Sequence, residues 1–336
     1  MPSRSWDPRG PRLPSTIAVA VTLLALAGCG SSATAPPTQP RPSAPVAEFP
    51  SAAGKTLAQI DAGHPEGPIL APSVTILGTG PNRFGFALFD ASRRFVTNAG
   101  TVLYVSRPDG THVAGPYPAR IESLAVRPAF ESKTTSQDPA AAKQVYVSTL
   151  PFRKNGKYVL TALSKIDGKT MRSNPYGVTV GGDPRTQPPA VGDRAIRVHT
   201  PTLDGSGGNA AAIDTRVPPA KDLLQSDLWN VLGQKPVVLM FATPRLCQSR
   251  VCGPVVDVEE QVANQMAGKA VFIHNEIYRD NEIAKGLRPQ PSAYRLPSEP
   301  WTFVIDRRGI IRTRFEGAFS TGELERAVAQ ADGPTA

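Results

Sequence analysis

Lys235-Pro-Val-Val-Leu-Met-Phe-Ala242, followed by Thr243-Pro-Arg-Leu-Cys-Gln-Ser-Arg-Val-Cys252-Gly-Pro254, is the stretch on which the reading of this chain turns. The first part is a continuous apolar run, as expected for a strand buried on both faces. Pro254 belongs in the first turn of a helix and would disrupt it deeper in. The helix therefore starts near Gly253, and Val255, Val258, Val262 and Met266 fall on one face. Two cysteines, Cys247 and Cys252, stand between strand and helix, with four residues between them. A disulfide across this span is incompatible with an unbroken helix, because i and i+5 point in different directions. Non-helical backbone is expected between them.

Downstream, residues 269–274 read as a second strand. Residues 301–306, Arg307-Arg308-Gly309 and residues 310–315 read as a hairpin. Ser320 with Glu323 makes a capping box for a last helix over 324–331. The order β-α-β, hairpin, helix predicts an α/β domain with a mixed sheet. At this point residues 190–332 resemble thioredoxin-like proteins. The resemblance rests on the approach from Leu228 to Pro244, on Cys247 at the strand-to-helix transition, and on Pro300 before Trp301-Thr-Phe-Val-Ile-Asp306. It implies a thioredoxin-like fold over 193–332, with Pro300 as a cis-proline beside redox cysteines Cys247 and Cys252. Glu299 would then face incoming substrate or simply lie exposed.

The spacing departs from the family. Thioredoxins have Cys-x-x-Cys, whereas this chain has Cys-x4-Cys and carries Leu246 in place of the usual Trp. Peroxiredoxins of the bacterioferritin-comigratory type share the spacing but need Thr or Ser three residues before the first Cys. Pro244 stands there, with Thr243 one place further, which speaks against peroxidase chemistry. Copper chaperones of the Sco type need a distant His, and His274 lies close in sequence on its strand, so no metal site is expected. The dipole and free N–H groups of a helix start lower a thiol's pKa, and Arg245 and Arg250 add to this. Cys247 as attacker with Cys252 as resolver is favoured over the reverse. A structural disulfide without catalysis is the competing reading.

Upstream, residues 72–182 carry short alternating runs (73–77, 83–89, 101–106, 144–148 and 157–162). Between them lie the turn signals Pro108-Asp109-Gly110, Lys154-Asn155-Gly156 and Asp167-Gly168. This punctuation predicts an all-β immunoglobulin-like sandwich, with a long loop over 127–142. The expected fold class is thus multidomain, the sandwich preceding the α/β thioredoxin-like fold. Residues 183–192 read as a linker. Residues 29–71 read as a Pro-rich disordered tether, most markedly over 30–50.

The chain opens with Arg4, Arg9 and Arg12, then an apolar run over 17–27 that is shorter than the about 20 residues a spanning helix needs. Its end, Leu26-Ala27-Gly28-Cys29, resembles a bacterial lipobox. This implies a signal peptide over 1–28, a diacylated Cys29, and anchoring on the extracytoplasmic face of the cell membrane. Residues 1–28 hold three Arg and one Asp, so without them the net charge falls from +9 to +7. That charge is spread out, which excludes a nucleic-acid footprint. The expected activity is thiol–disulfide exchange on protein thiols and disulfides, without a cofactor. A thiol-dependent peroxidase and a non-catalytic lipoprotein are the alternatives. His64, His112, His199 and Trp229 carry no motif.

Overall fold

The structure, a computed structural model, describes residues 43–333. Cys29, the expected signal peptide over 1–28 and the expected tether as far as residue 42 lie outside the described residues. Eight strands form the first sheet: β1 (Ile69–Pro72), β2 (Gly80–Phe89), β3 (Gly100–Ser106), β4 (Ala114–Ser123), β5 (Gln144–Phe152), β6 (Gly156–Ile166), β7 (Lys169–Arg172) and β8 (Tyr176–Val180). They run in the order β1-β2-β5-β4-β3-β6-β7, with β8 also on β6, and every pairing is antiparallel. The turn signals do what their chemistry requires. Asp167 and Gly168 both take positive φ and close the β6–β7 hairpin in two residues. Phe84, Phe86 and Leu88 alternate along β2 into one fully buried cluster with Leu103, Tyr146 and Leu160.

The sheet curls until its ends meet. Gly67 N–H donates to Arg172 O at 2.9 Å, Arg172 N–H to Pro65 O at 3.0 Å, and Gly181 N–H to Leu77 O at 2.8 Å. β4 carries the curl, pairing with β3 over its first half and with β5 over its second.

Residues 43–71 were expected in the disordered tether, and for this part the expectation is corrected. Thr56 and Gln59 form a capping box on α1 (Leu57–Asp61). Phe49, Leu57 and Ile60 pack on Val102, Tyr104 and Leu163, and Tyr104 Oη donates to Pro50 O at 2.6 Å. A few well-spaced apolar residues suffice here because β3 is apolar on both faces. Leu103 and Val105 fill the inside of the curl, while Val102 and Tyr104 meet this segment.

The second sheet has four strands in the order β10-β9-β11-β12: β9 (Val237–Phe241), β10 (Val271–Asn275), β11 (Trp301–Ile305) and β12 (Ile311–Glu316). β10 is parallel to β9, and β11 is antiparallel to both β9 and β12. β9 is buried throughout because its two faces serve different clusters. Val238 and Met240 meet α4 (Cys252–Gln265) and α6 (Thr321–Asp332). Val237, Leu239 and Phe241 meet Leu228 of α3 (Leu228–Val231), Tyr294 and Trp301. The expected capping box at Ser320 and Glu323 is formed.

The expected fold class is corrected by this architecture. In place of an immunoglobulin-like sandwich followed by an α/β thioredoxin-like fold, the described residues are mostly β. A curled eight-stranded antiparallel sheet adjoins a four-stranded one, and only α4 and α6 exceed five residues among the described helices. The regular strand–helix alternation fails at two places. Residues 276–300, between β10 and β11, break into one-turn pieces, including α5 (Pro289–Ala293). Asp280, Asn281, Gly286 and Arg295 take positive φ there, and prolines interrupt the rest, so no long helix can form. Residues 193–227, before α3, contribute short 3-10 turns and one bridge, Arg194 to Ile310, rather than a leading strand.

The two sheets share one core. Leu124, Val145 and Val147 lie in the same cluster as α4 and α6. Arg83 Nε and Nη2 grip Glu323 at 2.8 and 2.7 Å, and Arg120 Nη2 adds a third contact at 2.8 Å. Residues 183–192, read as a linker, lie against this sheet. Arg295 donates to Gln187 O, Arg314 to Pro188 O and Pro189 O, and Gly192 N–H to Ile311 O.

Candidate functional site

Past β9 the chain leaves the sheet through Thr243-Pro-Arg-Leu and turns before α4 begins at Cys252. Cys247 and Cys252 are joined as a disulfide, with Cα atoms 6.0 Å apart. The backbone between them is non-helical, with Arg250 at φ +60°. The two sulfurs are not equivalent. Cys252 is fully buried in the first turn of α4, whereas Cys247 retains 8% exposure. Cys247 Sγ lies 3.1 Å from Ser249 Oγ.

Cys247 lines a cleft of about 830 Å³. One wall is the 244–254 loop; the other is the 133–141 segment carrying α2 (Lys133–Ser136), which reads from sequence as a long loop. Arg250 Nη1 bridges the walls to Asp138 Oδ2 at 2.8 Å, and Ala142 N–H donates to Arg250 O at 3.1 Å. Lys133 and Arg245 also line the cleft.

Pro300 follows a cis peptide bond at Glu299. Trp301 pairs with Phe241, so Pro300 sits at the end of the sheet where β9 hands over to the cysteine loop. Neither Pro300 nor Glu299 lines the cleft beside Cys247. Burial raises the Glu299 carboxyl above its ordinary range. His199 pairs with Asp227 at 2.7 Å and stacks on the partly exposed Trp229. His112 is exposed beside Thr111, and His64 neighbours Asp61.

A second group of polar residues lies inside the fold, beneath the start of the cysteine loop, and the sequence reading missed it. His274, Asn275 and Glu276 close β10, Asp214 comes from the 210–220 loop, and Glu259 projects from α4; all are buried. His274 Nε2 lies 3.1 Å from Ala242 O, and its Nδ1 lies 3.6 Å from Asp214 Oδ1. Asp214 accepts from Arg216 N–H and Ala220 N–H, and Glu276 accepts from Thr215 N–H. Burial opposes charge on the imidazole, but Asp214, Glu276 and Glu259 overcome it and push its pKa up to about 9. Burial likewise opposes charge on Asp214, yet His274 and the two N–H donors hold its carboxyl below the usual range. Burial pushes the Glu259 carboxyl well above its usual range, and neither of its oxygens has a hydrogen-bond partner. The signal available in sequence was a polar His-Asn-Glu triplet ending an apolar strand, and a Glu seven residues after Cys252 on an apolar helix face.

No family model matches the chain, and no curated protein matches it. Among solved structures, the crystal structure of the Lin-41 filamin domain is similar over 34% of this chain and 98% of that one, at 15% identity and a TM-score of 0.19. A likeness of that size carries no argument.

Proposed function

We propose that the chain is a thiol–disulfide oxidoreductase working through Cys247 and Cys252, anchored to the extracytoplasmic face of a membrane by a lipid on Cys29. The observation that carries the reading is the asymmetry of the pair. Cys247 lines a cleft and keeps 8% exposure, while Cys252 is fully buried at the start of a helix. In the reduced protein the Cys247 thiolate attacks one sulfur of a substrate disulfide, and the other sulfur leaves as a thiolate. The Cys252 thiolate then attacks Cys247 Sγ, re-forming the intramolecular bond and releasing the second substrate thiolate. Two electrons pass from the protein dithiol to the substrate. In reverse, a substrate dithiol reduces the bond between Cys247 and Cys252.

One observation favours a different use of the same bond. Both cysteines belong to the apolar core cluster between the sheets, where a disulfide also serves as a staple. Substrate trapping separates the readings. The Cys252→Ser protein should accumulate mixed disulfides with membrane-associated proteins through Cys247, and Cys247→Ser should not. A reduction potential below about −300 mV, together with no trapped species, would leave only the staple.

A further inference from the structure

We propose that Asp214, His274 and Glu276 form a binding site for one divalent transition-metal ion, with zinc as the probe. One nitrogen and two carboxylates from these residues bring ligand atoms within 4.8 Å of one another, and all three residues are buried. The imidazole is oriented as a ligand. Nε2 is directed at Ala242 O, which leaves Nδ1 as the free nitrogen, and Nδ1 has no hydrogen-bond partner. Backing a metal-binding histidine with a carbonyl is the usual way its tautomer and ring plane are set. Nδ1 faces Asp214 Oδ1 at 3.6 Å. That gap is too long for a hydrogen bond, and it is close to the about 3.3–3.5 Å that separates two ligands of a tetrahedral zinc with bonds near 2.0–2.1 Å.

Charge points the same way. The nearby guanidinium of Arg216 is committed to Asp257 and Glu260. Arg288 directs its hydrogen bonds to Tyr278 O, Ala212 O and Asn281. Asp214 and Glu276 thus share a buried space with a third carboxyl, Glu259, whose oxygens are unpartnered. Each of these carboxyls is costly to charge when buried, and a divalent ion bound in place of the imidazole's proton would offset two carboxylates where that proton offsets one. On the side of Asp214, a cavity of about 350 Å³ lies against the site at the foot of the cysteine loop, lined also by Thr215, Arg216, Arg245 and Leu246.

The site does not rest on the thiol chemistry, and the test keeps the two apart. The double variant Cys247→Ser/Cys252→Ser, purified with chelator and then titrated with zinc by calorimetry, should bind one equivalent. Co²⁺ should give d–d bands without a thiolate charge-transfer band. Glu276→Gln and His274→Gln should each weaken zinc by more than the about 10–100-fold that loss of an outer-shell partner costs. Zinc should raise the melting temperature of the double variant, and Glu276→Gln should abolish that rise. If His274→Gln does not fold, the Glu276→Gln comparison decides. No zinc uptake by folded double variant, or an unchanged zinc affinity on adding Glu276→Gln to it, would overturn the site.

Discussion

Two buried carboxylates on the two long helices have opposite circumstances. Glu323, in the first turn of α6, is gripped by Arg83 and Arg120 and closes the capping box with Ser320. Glu259, two turns into α4, has no partner for either oxygen. The first joins two sheets and holds its charge, since Arg83 and Arg120 outweigh burial and keep its carboxyl below the usual range. The second sits beside His274 and Asp214, and burial favours its protonated form. Fixed charge with complete partners marks the joint between the sheets. Incomplete partnering marks the place beneath the disulfide loop where something can be gained or moved.

Glu323→Ala should disturb this contrast most. It leaves two guanidinium groups facing each other across the joint and should cost about 3 kcal/mol in chemical denaturation. Glu323 also sets a pH dependence. Its folded pKa lies below the unfolded value, so its contribution is present above the ordinary glutamate range and lost as pH falls through the folded pKa. Wild type should therefore lose stability on acidification more steeply than Glu323→Gln. Next in size is the disulfide. Reducing it opens a short closed loop, worth about 2 kcal/mol, and in the reduced protein iodoacetamide should label Cys247 at least about tenfold faster than the buried Cys252.

Glu259→Gln should act with the opposite sign. A folded pKa above the unfolded one means that stability falls as pH rises from the ordinary glutamate range toward the folded value. In chelator-treated protein the glutamine variant should be the more stable at about pH 8, with the difference shrinking toward about pH 4. The reverse order in the alkaline sample would mean that the carboxylate is charged and partnered. Smallest is Asp138→Asn, which removes the exposed bridge to Arg250 and should change stability by less than about 1 kcal/mol.

Local periodicity made much of the element content legible. Both faces of β9, the start of α4 near Pro254, the β11–β12 hairpin and the cap of α6 all arise from patterns of a few residues. Assembly was not legible in the same way. Nothing in residues 114–123, with Pro116 and Pro118 inside them, announces the strand that links the two halves of the curled sheet. The class assignment failed because a strand-helix-strand opening does not constrain the segment after it, and residues 276–300 fold as turns. The cysteine pair was legible because cysteines are rare in this chain. The polar cluster was not, because Asp214 and His274 are far apart in sequence and become neighbours only through the packing of the 210–220 loop on β10.

The packing of residues 43–61 over β3 also sets where the chain can be shortened. A protein begun at residue 62 would uncover Val102, Tyr104 and Leu163, a strip of apolar surface along an already formed sheet. Self-association of that truncated chain, beside a well-behaved one begun at residue 43, would show that the stretch read as a tether is the last layer of the folded body.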